Sequence, residues 1–256
     1  MLYVERSKYR QLDLGSVRDI NGLQQDSCPI CGEPIVSAGT VEPHDCAVCH
    51  RAAKISNKCA TGHYVCNVCL GKTASDYIVE SCLTSPMRDP MELINQLMWR
   101  PEVRLFGPEH FTLVAAPLLT AYHNCGGKID LPQALEQVRQ QASQLPDRTC
   151  LESDFCGAVM GVRAYVSIAA AMTGRNEGLA EKAKDAVVKE LRDVGEHSCC
   201  KRGSLLAAEV AVRFTHHHLG VSIETHDGVI CGFSVFNPDC PGQSCPYHPR
   251  HSLIRR

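Results

Sequence analysis

Apolar residues recur at helical spacing through most of the chain after residue 74. Residues 90–98 begin with a proline, which is favoured in a first helical turn, and residues 107–110 open the next helix. In that helix the apolar side chains follow three- and four-residue steps. They are Phe111, Val114, Ala115, Leu118, Leu119 and Tyr122. Pro117 lies inside the pattern and predicts a kink.

The second half of the chain continues this pattern. Residues 131–145 predict a polar surface helix, whereas residues 157–172 are apolar nearly all round and predict a buried central helix. Residues 177–194 are amphipathic, and residues 204–218 are apolar on one side. A short strand is predicted at residues 221–224.

The two ends of the chain lack a helical pattern. Residues 1–26 are polar and predict an arm, and residues 27–73 hold seven cysteines with too few apolar residues to fold on a core alone. Residues 74–228 form the predicted helical domain, and residues 229–256 a cysteine-containing tail. The predicted fold is mainly α: a small two-zinc module, like a zinc ribbon or treble clef, followed by a compact helical domain.

Composition narrows the class of protein. The chain has 256 residues, 44% apolar, and a net charge of -2, which is typical of a folded domain and gives no basic face for nucleic acid. No apolar stretch is long enough to cross a membrane. The first residues lack the apolar core of a signal peptide, so we expect a cytoplasmic protein.

Sixteen cysteines and twelve histidines set the sequence apart. Because disulfides are rare in the cytosol, cysteines at short spacing indicate metal binding or catalysis there. Four ligand pairs stand between residues 28 and 69, which is enough for two tetrahedral zinc ions. The pairs are Cys28 with Cys31, Cys46 with Cys49, Cys59 with His63, and Cys66 with Cys69.

The spacing leaves two groupings of these pairs open. The preferred nested grouping puts the first pair with the last and the two middle pairs together. The crossed grouping puts Cys28 and Cys31 with Cys59 and His63.

A second set of cysteines belongs to the helical domain and tail. Cys156 precedes one apolar helix, and Cys199 and Cys200 precede another beside Lys201 and Arg202. A thiol at a helix start beside basic residues ionises readily and can bind metal or attack sulfur.

The tail adds Cys240 and Cys245, the latter followed by proline as in some iron–sulfur ligand runs. These five cysteines predict a 4Fe-4S cluster or a reactive-thiol site. A third zinc ion and simple packing remain alternatives. Glu109 and His110 at a helix start are candidates for an acid/base pair.

Several of these strings, taken in order, resemble the uncharacterised domain of unknown function 5714 of anaerobic bacteria and archaea. The strings are Cys-Pro-Ile-Cys-Gly at 28–32, the cysteine run at 58–69, Gly-Pro-Glu-His at 107–110, Phe-Cys-Gly-Ala at 155–158, Cys-Cys-Lys-Arg-Gly-Ser at 199–204 and Cys-Pro-Tyr at 245–247. The pattern over 156–218 is also similar to the helical iron–sulfur domain of serine dehydratases and cysteine desulfidases. That second resemblance implies three cysteines around a cluster whose open iron binds substrate.

Together these features predict an iron–sulfur enzyme of sulfur metabolism, a lyase or sulfurtransferase. It would handle sulfur or a small thiol- or hydroxyl-bearing substrate, with His110, Lys201 and Arg202 binding or protonating that substrate. The alternative is a non-enzymatic zinc-finger adaptor, or a metal or sulfur carrier, that binds a protein partner.

Overall fold

The structure is a computed structural model that describes about seven tenths of the chain. The described residues are 28, 33–47, 50–65, 74–100, 103, 107–145, 156–175, 178–194, 199–226, 228–234, 237 and 240–249. Contacts within the chain divide it into two compact units, Met1–Lys72 and Thr73–Arg256. They are called here the N-terminal unit and the helical unit. The predicted arm at 1–26 lies outside the described residues.

A two-stranded antiparallel hairpin forms the described part of the N-terminal unit. Strand β1 (Ile35–Asp45) pairs with strand β2 (Ala52–Cys59). The register joins Ile35 to Cys59 at one end and Asp45 to Ala52 at the other. The pairing is irregular along β1 before Glu42, where Gly39 takes a positive φ of 71° that glycine accommodates without strain.

Thiols take the place of an apolar core in this hairpin. Among the described residues of the N-terminal unit, the buried apolar side chains are Cys28, Cys46 and Cys59, each at most 1% exposed. Val36 and Val41 are instead 46% and 67% exposed. The described part of this unit therefore buries little hydrocarbon and gains little stability from the hydrophobic effect.

Seven α-helices form the described part of the helical unit. They are α1 (Ala74–Thr84), α2 (Pro90–Leu97), α3 (His110–Asn124), α4 (Leu131–Ala142), α5 (Gly157–Met172), α6 (Leu179–Asp193) and α7 (Cys200–His218). The prediction of a mainly α protein is therefore confirmed. A short 3-10 turn follows at Gly242–Ser244.

Aspartate side chains fix the starts of two helices. Asp89 Oδ1 accepts the amides of Met91 and Glu92 at 2.8 and 3.3 Å, and Pro90 occupies the first turn of α2. Asp130 accepts the amide of Gln133 at 2.9 Å and begins α4 in the same way. Each carboxylate accepts hydrogen bonds from amides that a helix start leaves without partners, which explains why the two helices begin at these aspartates.

Helices α3 and α5 form the centre of the core. Every residue of α3 from His110 to Tyr122 is buried, and the helix runs through Pro117 without interruption. Gly161 of α5 sets the distance between the two helices. A Cβ there would lie 2.6 Å from the Phe111 carbonyl oxygen. The predicted buried central helix at 157–172 is confirmed.

Two predicted elements differ from the structure. Helix α7 begins at Cys200 rather than at residue 204, because the polar residues Lys201 and Arg202 are buried within its first turn. The predicted strand at 221–224 is wrong. Within the described part of the chain this segment pairs with no strand. Two residues after it, the His226 amide donates to Asp89 Oδ2 at 2.7 Å. No helix in the described ranges has the length and apolarity to cross a bilayer.

Candidate metal centres

The hairpin brings Cys28, Cys59 and His63 together. Cys28 precedes β1 and Cys59 ends β2, and the register that pairs Ile35 with Cys59 puts both cysteines at the same end of the hairpin. The two sulfurs and a ring nitrogen of His63 all lie within 4.8 Å of one another. Thiolate and imidazole ligands this close suit one tetrahedral ion such as zinc.

Hydrogen bonds to the Cys59 sulfur favour its thiolate form. Burial raises its pKa, but hydrogen bonds with the Thr61 hydroxyl at 3.0 Å and the His63 amide at 3.1 Å outweigh that effect. The pKa of Cys59 falls to about 6 as a result. Since metals bind the deprotonated thiol, Cys59 is prepared to act as a ligand near neutral pH.

Cys46 lies at the other end of the hairpin in a turn of the same kind. The Cys46 amide donates to the Arg51 carbonyl at 3.0 Å, just as the Cys28 amide donates to the Glu33 carbonyl at 2.8 Å. Both bonds span five residues, so the first cysteine of each Cys-x2-Cys pair begins a closed turn. The Ala47 amide also donates to the Tyr64 carbonyl at 2.7 Å, which brings the chain after His63 back to this turn.

This geometry agrees with the crossed grouping of ligands and not with the preferred nested one. The nested grouping separates Cys28 from Cys59 and His63, whereas the structure places the three together. The hairpin register is the physical reason, and spacing along the chain does not reveal it. The other predicted ligands of this unit lie outside the described residues: Cys31, Cys49, Cys66 and Cys69.

Four cysteines of the helical unit line one small cavity. They are Cys199, Cys231, Cys240 and Cys245, and this site is called the four-thiol cavity. Cys199 is the residue before α7, and the other three come from the tail. The Cys231 amide donates to the Tyr247 carbonyl at 2.8 Å, which ties the two ends of the tail together. Arg202, Phe233, Asn237 and His248 complete most of the wall.

N–H groups point at three of the four sulfurs. Asn237 Nδ2 donates to Cys199 Sγ at 3.4 Å, and the Phe233 amide donates to Cys231 Sγ at 3.4 Å. The backbone at Tyr247 makes the corresponding bond to Cys245. In the last two pairs the amide comes two residues after the cysteine. Such bonds stabilise sulfur when it carries negative charge, as in a metal thiolate.

The thiols oppose one another's ionisation. Burial raises the pKa of Cys231 to about 11, and the charges of Cys199, Cys245 and Cys240 act in the same direction. Burial also raises the pKa of Cys245, which Arg202 partly offsets. Four thiolates this close, one of them buried and three half-buried, would need a compensating cation, so metal binding in the cavity would release protons.

The predicted catalytic residues are all buried. Arg202 lines the four-thiol cavity at 4% exposure. Lys201 Nζ donates to the Met98 and Val103 carbonyls at 3.1 and 2.9 Å. Burial lowers the pKa of Lys201 to about 8, against the pull of the Glu109 carboxylate.

His110 lies at the start of α3 and contacts α7. Its Nδ1 forms a 2.7 Å hydrogen bond with Ser204 Oγ, and both residues are at most 1% exposed. With both partners enclosed, the pair holds α3 and α7 together.

The structure brings together only some of the predicted cluster ligands. Cys199, Cys240 and Cys245 share the cavity, and Cys231, which the prediction left out, joins them. Cys156 and Cys200 do not line it. Cys156 precedes α5, whose first residue Gly157 packs against the start of α3. No other cysteine lies within a few residues of Cys231 in the sequence, so spacing gave no reason to predict Cys231 as a ligand.

The fold and these sites define a cysteine-rich helical protein with two groups of metal-type ligands. The sequence profile of the family of unknown function DUF5714 matches residues 78–248, and the chain belongs to that family. The match includes the whole four-thiol cavity and none of the hairpin. No curated protein and no solved structure matches the chain. The likeness to serine dehydratases and cysteine desulfidases stays a prediction.

Proposed function

We propose that the protein is an iron–sulfur metalloprotein whose cluster is held in the helical unit by Cys199, Cys231, Cys240 and Cys245. The observation that carries the proposal is the four-thiol cavity itself, in which N–H groups face three of the sulfurs. Four cysteines are the usual ligand set of such clusters, and hydrogen bonds to their sulfurs help to set the potential.

The distances between the cavity sulfurs favour a cluster over a single metal ion. Sulfurs around one tetrahedral zinc ion are about 3.8 Å apart, given Zn–S bonds of about 2.3 Å. Within the described ranges, three metal-type ligand atoms lie inside 4.8 Å of one another only at Cys28, Cys59 and His63. No three of the cavity sulfurs are therefore as close together as the ligands of one ion. Cys240 and Cys245 are each followed by proline, as in some cluster-binding runs.

The reaction we propose is sulfur transfer or lyase chemistry on a small thiol- or hydroxyl-bearing substrate. Cys199, Cys231 and Cys245 receive N–H···S bonds and would be the fixed ligands. Among the described residues no N–H group donates to the Cys240 sulfur, so Cys240 would be the least firmly held ligand. A cluster held there would supply Lewis-acid chemistry through its iron.

The N-terminal unit would be a zinc module with two ions. Cys28, Cys59 and His63 would hold one ion, with Cys31 as the fourth ligand in the crossed grouping. Cys46 and Cys49 would then share the second ion with Cys66 and Cys69. The bond between Ala47 and Tyr64 supports this assignment, because it ties the Cys46 turn to the segment just before Cys66.

Anaerobic purification of the full chain tests the proposal. We expect iron and acid-labile sulfide together with zinc, and a broad absorbance near ~400 nm that thiolate-bound clusters give. Cys82→Ala is the matched control, because Cys82 is fully buried in α1 and does not line the cavity. It should keep the wild-type iron content. A colourless protein that holds only zinc would contradict the cluster.

A non-enzymatic zinc adaptor is the second candidate. Two observations favour it: the amides two residues after Cys231 and Cys245 suit a zinc-binding turn, and the hairpin exposes Val36 and Val41 to a partner. In that case the cavity should take up one zinc ion per chain and no iron. Added sulfide or cysteine should leave the protein's spectrum unchanged.

A further inference from the structure

Tyr247 stands two residues after Cys245 and links the tail to α7 through its side chain. Its hydroxyl donates to Glu209 Oε2 at 2.7 Å. The tyrosine is buried at 7% exposure, whereas the side chain of Glu209 is 48% exposed. A hydrogen bond from a hydroxyl to a carboxylate is among the stronger kinds in proteins. This bond therefore fastens the end of the tail to the helix that Cys199 precedes.

The backbone of Tyr247 contacts two of the residues that line the four-thiol cavity. Its amide hydrogen-bonds to the Cys245 sulfur, and its carbonyl accepts the Cys231 amide at 2.8 Å. Both cysteines line the cavity together with Cys199. A displacement of Tyr247 would therefore move two thiols at once relative to the third.

Phe233 has the same relation to Cys231 as Tyr247 has to Cys245. The Phe233 amide donates to the Cys231 sulfur at 3.4 Å. Its ring packs on Trp99, with the two ring centres 4.4 Å apart. Each turn thus consists of a cysteine, one further residue and an aromatic side chain that contacts a residue outside the tail. The contact of Phe233 is apolar, whereas that of Tyr247 includes one hydroxyl that can be removed without changing the ring.

The surroundings keep the Tyr247 hydroxyl a donor and the Glu209 carboxylate its acceptor. Burial and the Glu209 carboxylate raise the pKa of Tyr247 above its usual 10, so the hydroxyl keeps its proton. Arg213 Nη1 lies 3.5 Å from Glu209 Oε1, on the other side of the carboxylate from the hydroxyl's partner Oε2. Arg213 also pairs with Glu190 of α6 at 3.6 Å. Tyr247 is therefore connected to both α7 and α6.

We propose that Tyr247 is a positioning residue for the metal centre of the four-thiol cavity, and that its hydrogen bond to Glu209 sets the positions of Cys231 and Cys245. This inference rests on the proposed metal centre and holds for an iron–sulfur cluster and for zinc alike. Tyr247 acts through the two cysteines and not on the metal itself. Groups that orient metal ligands in this way change metal affinity by about 10–100-fold when they are removed.

Tyr247→Phe tests the inference by removing the hydroxyl and keeping the ring. The full chain is purified anaerobically and mixed with excess EDTA, and the release of the metal that wild type holds and Cys231→Ala lacks is followed. We expect Tyr247→Phe to release this metal at least about tenfold faster than wild type. Glu209→Ala removes the acceptor and should have the same effect, and the double variant should release metal no faster than either single one. Glu209→Gln keeps an acceptor oxygen and should stay close to wild type.

Tyr165→Phe is the matched control for the loss of a buried hydroxyl. Tyr165 is fully buried, forms a 2.8 Å hydrogen bond with Thr215 of α7 and does not line the cavity. Its variant should release metal at the wild-type rate. The inference would be overturned if Tyr247→Phe also matched wild type, or if Tyr165→Phe released metal as fast as Tyr247→Phe, which would show a general effect of stability. Equal metal contents in wild type and Cys231→Ala would instead overturn the proposed function, and this inference with it.

Discussion

Replacing Gly161 by alanine should force α3 and α5 apart. The new Cβ would lie 2.6 Å from the Phe111 carbonyl oxygen and 3.1 Å from Val114 Cβ. The first contact is with backbone, which cannot turn away as a side chain can. Overpacking of this kind costs about 1–3 kcal/mol. Because the contact is with backbone, we place the cost at the upper end of this range, about 2–3 kcal/mol. Alanine regains about 1 kcal/mol over glycine inside a helix, so we expect a net loss of about 1–2 kcal/mol.

Gly203→Ala is the matched control in α7. A Cβ at Gly203 meets nothing within 4 Å, so only the helix preference remains, and stability should rise by up to about 1 kcal/mol. In thermal unfolding followed by circular dichroism, the two variants should differ by roughly 5–10 °C, with wild type between them. Equal shifts in the same direction would refute the argument from helix contact.

Three further changes test other parts of the structure. Tyr165→Phe removes the hydroxyl that donates to Thr215 Oγ1 at 2.8 Å in the core, and urea unfolding should show a loss of about 0.5–1.5 kcal/mol. Asp89 raises the pKa of His226 above its usual 6.5. The ion pair therefore stabilises the fold below about pH 6.5 and loses this effect as the pH rises through the raised pKa. The stability gap between wild type and His226→Gln should accordingly shrink from about pH 6 to about pH 8, and a constant gap would contradict the pairing. Cys59→Ser should remove one zinc ion per chain and leave the metal of the helical unit in place, as elemental analysis can measure.

The helical unit could largely be predicted from sequence, because a helix that buries one face repeats apolar side chains every three to four residues. The segment at 157–172 is apolar nearly all round, and the structure buries it as α5. Pro90 marked the start of α2 by residue type alone. The start of α7 was placed late because Lys201 and Arg202 look like surface residues. Lys201 can be buried because its ammonium group donates to the Met98 and Val103 carbonyls, which come from a distant part of the chain.

The ligand groupings were harder to predict, because they depend on contacts between distant parts of the chain. Cys28 meets Cys59 only through the hairpin register, and the strands of that hairpin gave no clear alternation of apolar residues. Cys231 stands apart from other cysteines in sequence and reaches the cavity through its bond to Tyr247. Cys156 precedes a helix, as the sequence predicted, but it does not line the cavity.

Metal content of two cysteine variants tests the central claim most directly. Cys231→Ala and Cys156→Ala each remove one thiol from a partly buried site, but only Cys231 lines the four-thiol cavity. After anaerobic purification, Cys231→Ala should lose the metal of the helical unit, and Cys156→Ala should keep it. The reverse result, with metal lost on removal of Cys156 and retained without Cys231, would contradict the four-thiol centre.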